Sequence, residues 1–306
     1  MVEEREVELS ELLDEVRRIE AQSKRLVTGH MAGGYSSVFR GSGIEVHEIR
    51  EYVEGDDPRA VDWNVTARVG RPFVRDYVEE RQLTMLFLLD LSASMNGGFG
   101  IWSARQMAAR VCACLALSAI RNDDRVGLIA FSRDVDKFVP PRKGIRHVLR
   151  IVRDCLALPG TSAGTDLLPA LEFASRVVRR HAVLFLVSDF LRPGWKHALT
   201  LCANRHDLIA VRLLTPELGL PEADTGLVRL CDPETGREDI VDWGSTEVRR
   251  AYVRRVAEAR AETESILRRA GVDLMDVPVP RVPDRDAVAR PILEFFRMRE
   301  GRGAKR

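Results

Sequence analysis

From Leu83 onward the chain alternates short, wholly apolar segments with longer stretches of helical periodicity, and few folds accommodate that alternation. Strands are expected at Thr84–Leu89, Arg125–Phe131, Val135–Val139, Ala182–Val187, Leu208–Leu213 and Val272–Val277. Most are too apolar to keep a face in water, which is the signature of parallel strands covered on both sides. Helices fit between them at Trp102–Arg121, Ile145–Leu156, Leu167–Arg179, Gly194–Asn204 and Glu247–Ala270, each long enough for a right-handed crossover. The predicted fold class is therefore α/β, a doubly wound, mostly parallel sheet.

Upstream the pattern differs. Leu9, Leu12, Leu13, Val16 and Ile19 recur at helical spacing, so a docking amphipathic helix is expected from about Ser10 to Leu26. A Gly-rich break follows. Short strands at Glu45–Tyr52 and Arg71–Val78 then flank the turn Gly55-Asp56-Asp57-Pro58. These features suggest a small N-terminal module over 1–80 and an α/β domain over 81–300, with a frayed basic tail at 301–306. Between Thr225 and Trp243, the turn Asp232–Gly236 separates two short runs and reads as a hairpin inserted before the last long helix.

Composition excludes several function classes. Lys+Arg 47 against Asp+Glu 46 leaves a net charge of +1, so no global field draws the chain to nucleic acid or an anionic membrane. No apolar stretch approaches the ~20 residues needed to span a bilayer. The N-terminus MVEEREVELS is acidic where a secretory signal is basic and then apolar, so a soluble, cytoplasmic protein is expected. Five cysteines form no Cys-x-x-Cys pair, and Cys112 and Cys114 sit two apart in a helical run, which points to inert buried or half-buried thiols. No His-x-x-x-His spacing offers a histidine metal site.

Chemistry-bearing residues cluster at the expected carboxyl ends of strands, where loops of an open α/β sheet diverge into a crevice. Asp90-Leu91-Ser92-Ala93-Ser94 follows the first core strand, Gly164-Thr165-Asp166 precedes a helix, and Ser188-Asp189 ends another strand. Asp90, Ser92, Ser94, Thr165 and Asp189 supply two carboxylates and three hydroxyls. A hard cation such as Mg²⁺ seeks about six oxygens, typically one or two carboxylates completed by hydroxyls and waters, so Mg²⁺, or Mn²⁺ or Ca²⁺, is the expected cofactor. Asp and Ser at such positions also serve as turn and helix-cap residues, and Thr161 and Ser162 are alternatives to Thr165.

The order Asp-x-Ser-x-Ser, loop Thr, loop Asp resembles the metal-ion-dependent adhesion site of von Willebrand factor A-like domains. The resemblance implies direct coordination by Ser92 and Ser94, a direct or water-mediated role for Thr165, mainly water-mediated roles for Asp90 and Asp189, and one vertex open to a partner's carboxylate.

A second resemblance rests on Ile49-Arg50-Glu51-Tyr52, Gly55-Asp56-Asp57-Pro58-Arg59, Val61-Asp62-Trp63-Asn64-Val65-Thr66-Ala67-Arg68 and Glu79-Glu80-Arg81. These runs look like the signature of the bacterial family called domain of unknown function fifty-eight. Its members are typically encoded beside a MoxR-type AAA+ ATPase, and many carry two membrane-spanning helices before this region. The chain is similar to the short branch without them.

The stretch Gly55–Arg68 admits two readings. In one, Pro58 stiffens a turn that the Asp residues cap, Trp63 inserts into a groove, and Arg59 or Arg68 pairs with an acid. In the other, Asp56, Asp57, Arg59, Asp62, Trp63 and Arg68 form a partner-binding surface.

Together these features lead to the expectation of a non-enzymatic, divalent-metal-dependent interaction module that engages an acidic side chain of a MoxR-type ATPase or its client. The alternative is a Mg²⁺-dependent phosphohydrolase using the same strand-end acids. Haloacid-dehalogenase-like phosphatases, however, place a second Asp where this chain has Ser92, and no Gly-x-x-x-x-Gly-Lys-Ser/Thr loop is present. Arg-rich pieces such as 142–146 and 249–255 are interspersed with other residues and read as solvated faces rather than nucleic-acid contacts.

Overall fold

The computed structural model describes residues 2–29, 49–53, 56, 61, 63–75, 82–98, 100–159, 164–216 and 226–303. In chain order the elements are α1 (Val2–Gly29), β1 (Ile49–Glu51), α2 (Trp63–Val69), β2 (Phe73–Arg75), β3 (Thr84–Asp90) and, after a 3-10 turn at Ala93–Met95, α3 (Ala104–Arg121). There follow β4 (Arg125–Phe131), β5 (Val135–Arg142), α4 (Ile145–Ala157), α5 (Leu167–Val177), β6 (Val183–Ser188), α6 (Lys196–Ala203) and β7 (Asp207–Leu214). The chain continues through β8 (Leu227–Cys231), β9 (Glu238–Asp242), α7 (Thr246–Arg269), β10 (Asp273–Pro278) and α8 (Ala289–Gly303).

Six strands form the central sheet in the order β10-β7-β6-β3-β4-β5. All neighbours are parallel except β5, which folds back antiparallel on β4. Pro140 and Pro141 lie in β5, where an edge position tolerates residues that cannot donate to a ladder. The sheet is thus doubly wound and mostly parallel. The chain runs outward from β3 to β4 and β5, then returns to lay β6 on the other side of β3, so the direction of winding reverses between β3 and β6.

Side-chain alternation along the strands sorts the core into two layers. Met85, Phe87 and Leu89 of β3 face the side covered by α1, α3, α4 and α8, where Phe87 meets Phe185 at 5.5 Å between ring centroids. Leu86 and Leu88 face the other side, against Leu167 and Leu171 of α5, Leu199 of α6 and Leu267 of α7. Both faces are dry, which explains why the strands are apolar throughout.

The N-terminal helix contributes Val16, Ile19 and Val27 to the first layer and packs on α3 and α4. Glu15 pairs with Arg110 of α3, whose guanidinium lies 4.0 Å over the Trp102 ring. The helix runs well beyond the expected Ser10–Leu26 at both ends.

Several expectations need correction. Residues 289–303 form a helix that periodicity did not single out; Ile292, Phe295 and Phe296 are buried under the sheet, and Arg302 pairs with Asp273, so positions 301–303 of the supposed frayed tail are helical. Trp63 is 72% exposed at the start of α2 and inserts into no groove. Asp56 does cap a turn: its carboxylate accepts from the Val53 amide at 2.9 Å, and its carbonyl accepts from the Tyr52 hydroxyl at 3.1 Å. Arg68 is exposed, while Asp57, Arg59 and Asp62 lie outside the described residues. Cys112, Cys114, Cys155 and Cys202 are buried, but Cys231 is exposed on β8. Among the described residues, no helix is long and apolar enough to cross a membrane.

Candidate metal centre

The reversal of winding between β3 and β6 opens the crevice in which such sheets place their ligands. Asp90 is the last residue of β3, and Ser188 is the last of β6. Asp90 is fully buried. One of its carboxylate oxygens accepts from the Ser92 amide at 2.8 Å, and the other accepts from the Ser188 hydroxyl at 2.6 Å. The first contact closes a tight turn after β3, which brings Ser92 and Ser94 to the same side. Their hydroxyls lie 3.1 Å apart.

From β6, Asp189 meets this turn. Its Oδ2 accepts from the Ser94 hydroxyl at 2.7 Å, and its Oδ1 accepts from the Leu191 amide at 3.0 Å. Phe190 holds the bend with a left-handed backbone, φ 58°, uncommon for an aromatic residue. Its ring packs edge-on against Trp195 at 5.6 Å, and its amide donates to the Ser188 hydroxyl at 3.2 Å. Tertiary packing thus holds the strained bend that aims Asp189.

Thr165 arrives on a third loop. Gly164 adopts φ 91°, the Asp166 amide is anchored to the Ser132 carbonyl at 3.0 Å, and the Asp166 side chain caps α5 at the Leu168 amide at 2.9 Å. The remaining member was not anticipated. Glu234, at the tip of the β8–β9 hairpin, accepts through Oε1 from the Thr165 hydroxyl at 3.1 Å and from the Ser94 amide at 3.3 Å. Asp90, Ser92, Ser94, Thr165 and Asp189 therefore belong to one hydrogen-bonded cluster, with Glu234 bridging Thr165 to the rest and Ser188 supporting Asp90. The alternatives Thr161 and Ser162 lie outside the described residues.

The electrostatics are unfavourable as they stand. Burial, and then the charge of Asp189, push the Asp90 carboxyl up to about 7, against the lowering effect of its hydrogen bonds to Ser188 and Ser92. Asp189 is also raised, chiefly by burial and further by Glu234, although the Ser94 and Leu191 hydrogen bonds and Arg192 pull the other way. Among the described residues, neither aspartate has an ion-pair partner within 4.0 Å. Glu234 Oε2 is buried without a hydrogen bond.

Among the described residues, no three His, Cys, Asp or Glu side chains are grouped to hold an ion by themselves. Any cation here must draw on the hydroxyls as well. An all-oxygen donor set with two buried carboxylates that are both pushed up suits a hard divalent ion. A crevice of about 380 Å³ lies beside the cluster, lined by Thr165, Asp166 and Leu168 and flanked by Arg133 and Arg192.

Residues 48–262 match the family described as "Protein of unknown function DUF58". Uncharacterized proteins of Mycobacterium bovis and Mycobacterium tuberculosis are each 32% identical to the chain over 295 residues, covering 94% of it and 90% of their own length. Among solved structures, the conserved hypothetical protein BatB from Bacteroides thetaiotaomicron aligns over 72% of this chain and 99% of its own, with 17% identity and a TM-score of 0.43. The SpRpn10 VWA domain aligns over 68% of this chain and 95% of its own, with 12% identity and a TM-score of 0.36. With seven-tenths of its length inside the family match and relatives aligned almost end to end, the chain belongs to the DUF58 family.

Proposed function

We propose that the protein is a non-catalytic interaction module that binds a partner's acidic side chain through a divalent cation held by Asp90, Ser92, Ser94, Thr165 and Asp189. The observation that carries this reading is the convergence of three loops on two buried carboxylates, neither of which has an ion-pair partner within 4.0 Å among the described residues. Ser92 and Ser94 are suited to direct coordination. Asp90 and Asp189 already accept hydrogen bonds on both oxygens and suit outer positions, where they fix the hydroxyls and balance charge. When bound, Mg²⁺ or Mn²⁺ would supply a Lewis-acidic vertex for a carboxylate from outside.

Arg133 and Arg192 flank the neighbouring crevice and favour an acidic partner by charge. The partner proposed is a MoxR-type AAA+ ATPase or its client, which rests on the family resemblance. A phosphatase of the haloacid-dehalogenase kind would need a carboxylic acid at position 92; the Ser92 hydroxyl instead lies against that of Ser94.

Calorimetric titration with Mg²⁺ and Mn²⁺ tests the site. Asp90→Ala and Ser92→Ala should weaken binding at least about tenfold. Curves identical to wild type would remove the reading. Capture of the ATPase should be lost on adding EDTA, and capture indifferent to EDTA would exclude a metal bridge.

A further inference from the structure

The β8–β9 hairpin is a two-stranded sheet of its own, hydrogen-bonded to no strand of the central sheet. Its outer face leaves Leu227 and Ile240 largely exposed. Beneath it, a cavity of about 570 Å³ is lined by Leu230, Val241, Trp243, Tyr252 and Val256 and reaches Asp189. Leu230 of β8 and Val241 of β9 line this cavity rather than packing on the body, and a gap forfeits the dispersion contacts that would hold the hairpin down there.

The tip, by contrast, is tightly organised. Asp232 accepts from the Glu234 amide at 2.9 Å and from the Thr235 hydroxyl at 2.9 Å, and its carbonyl accepts from the Gly236 amide at 2.8 Å. Gly236 adopts φ 68°, which closes the turn. None of these contacts uses the Glu234 side chain. It projects from a preformed turn onto Ser94 and Thr165, which lie 140 and 69 positions away in sequence.

We propose that Glu234 is an internal acidic ligand of the metal centre, and that the hairpin is a latch which an incoming carboxylate must displace. This deepens the interaction reading and rests on the cation being bound there. Glu234 contacts Ser94 and Thr165, the half-exposed members of the cluster, whereas Asp90 is fully buried, so it covers the members a partner's carboxylate could reach. Its Oε1 already contacts two groups of the site, while Oε2 is buried and unpartnered, a costly arrangement that a cation would relieve. The turn is closed by Asp232 rather than by the Glu234 carboxylate, which is left to the site, and the cavity under Leu230 and Val241 leaves that part of the hairpin loosely packed. Binding outside and latching inside then compete for a single vertex.

Mn²⁺ titration of wild type and Glu234→Ala, followed by water-proton relaxation and by hydrogen exchange, tests this. Wild type should hold Mn²⁺ about tenfold more tightly than the variant. Mn²⁺ in the variant should relax water protons faster, having gained an exchangeable water, and acetate should reverse that gain in the variant but not in wild type. Mg²⁺ should slow amide exchange across 227–242 in wild type only. Equal affinity, relaxation and acetate response in the two proteins would overturn the latch while leaving the metal centre standing. Failure of wild type to bind Mn²⁺ at all would overturn both.

Discussion

Ser188 and Arg212 are paired on neighbouring strands β6 and β7, yet the acids gathered around them are neutralised in opposite ways. Around Arg212, Asp276 of β10 accepts two hydrogen bonds from the guanidinium, at 2.6 and 2.8 Å, and Glu264 of α7 accepts a third at 2.9 Å. Burial would lower the Arg212 pKa, but the two acids outweigh it and the value is raised. Around Ser188, Asp90 and Asp189 gather equally close to hydroxyls and amides without an ion-paired cation among the described residues, and both carboxyls are pushed up. One cluster carries its counter-ion in the sequence. The other must take a proton or an ion from solution.

The sharpest test of this contrast is to remove the built-in cation. Arg212 is 4% exposed, whereas Asp276 and Glu264 are each roughly two-fifths exposed, so solvent screens part of the loss. Arg212→Met should lower unfolding free energy by about 2 kcal/mol, below the roughly 3–5 kcal/mol of a fully buried broken pair because of that screening, as read from urea denaturation. A loss below about 0.5 kcal/mol would mean the two clusters do not differ as described.

The second test varies pH. The Asp90 carboxyl titrates near 3.8 when unfolded and about 7 when folded, so the folded state retains an extra proton between those values. Stability from this group is complete below 3.8 and is lost as pH rises through about 7. A divalent ion should restore it only where Asp90 is ionised. At a Mg²⁺ concentration about ten times its dissociation constant at high pH, the ion should stabilise the protein by about 1.4 kcal/mol at pH 8 and by about 0.2 kcal/mol at pH 5.5. The readout is the thermal midpoint with and without Mg²⁺ at each pH. A pH-independent increment would detach Asp90 from the ion.

The smallest expected effect concerns the N-terminal stretch, which is as rich in motifs as the strand ends. With Trp63 largely exposed, Trp63→Ala should change stability by no more than about 0.5 kcal/mol. If it nevertheless abolishes capture of the proposed ATPase partner, Trp63 belongs to a recognition surface rather than to the fold.

Most of the sheet was legible because burial on both faces demands apolar strands, and Thr84 through Leu89 or Arg125 through Phe131 can satisfy that demand in no other way. The helix at Ala289–Gly303 was not legible: its apolar residues are interrupted by Arg297, Arg299 and Glu300, and only docking under β10 selects the buried face. The N-terminal helix was legible in its centre, where Val16 and Ile19 touch α3 and α4, and not at its polar ends.

Local order along the chain determined the doubly wound class, the position of Asp90 at a strand end, and the turn Asp232–Gly236, since periodicity, strand burial and turn chemistry act over a few residues. Tertiary structure alone decided which way the winding reversed, that Asp189 would meet Ser94, and that the hairpin tip would deliver Glu234 to join Thr165 to Ser94. Those contacts join residues 69 to 140 positions apart. They depend on how sheet and crossovers pack, and nothing in the local spacing of acids distinguishes a glutamate that stays in solvent from one that returns to a buried site.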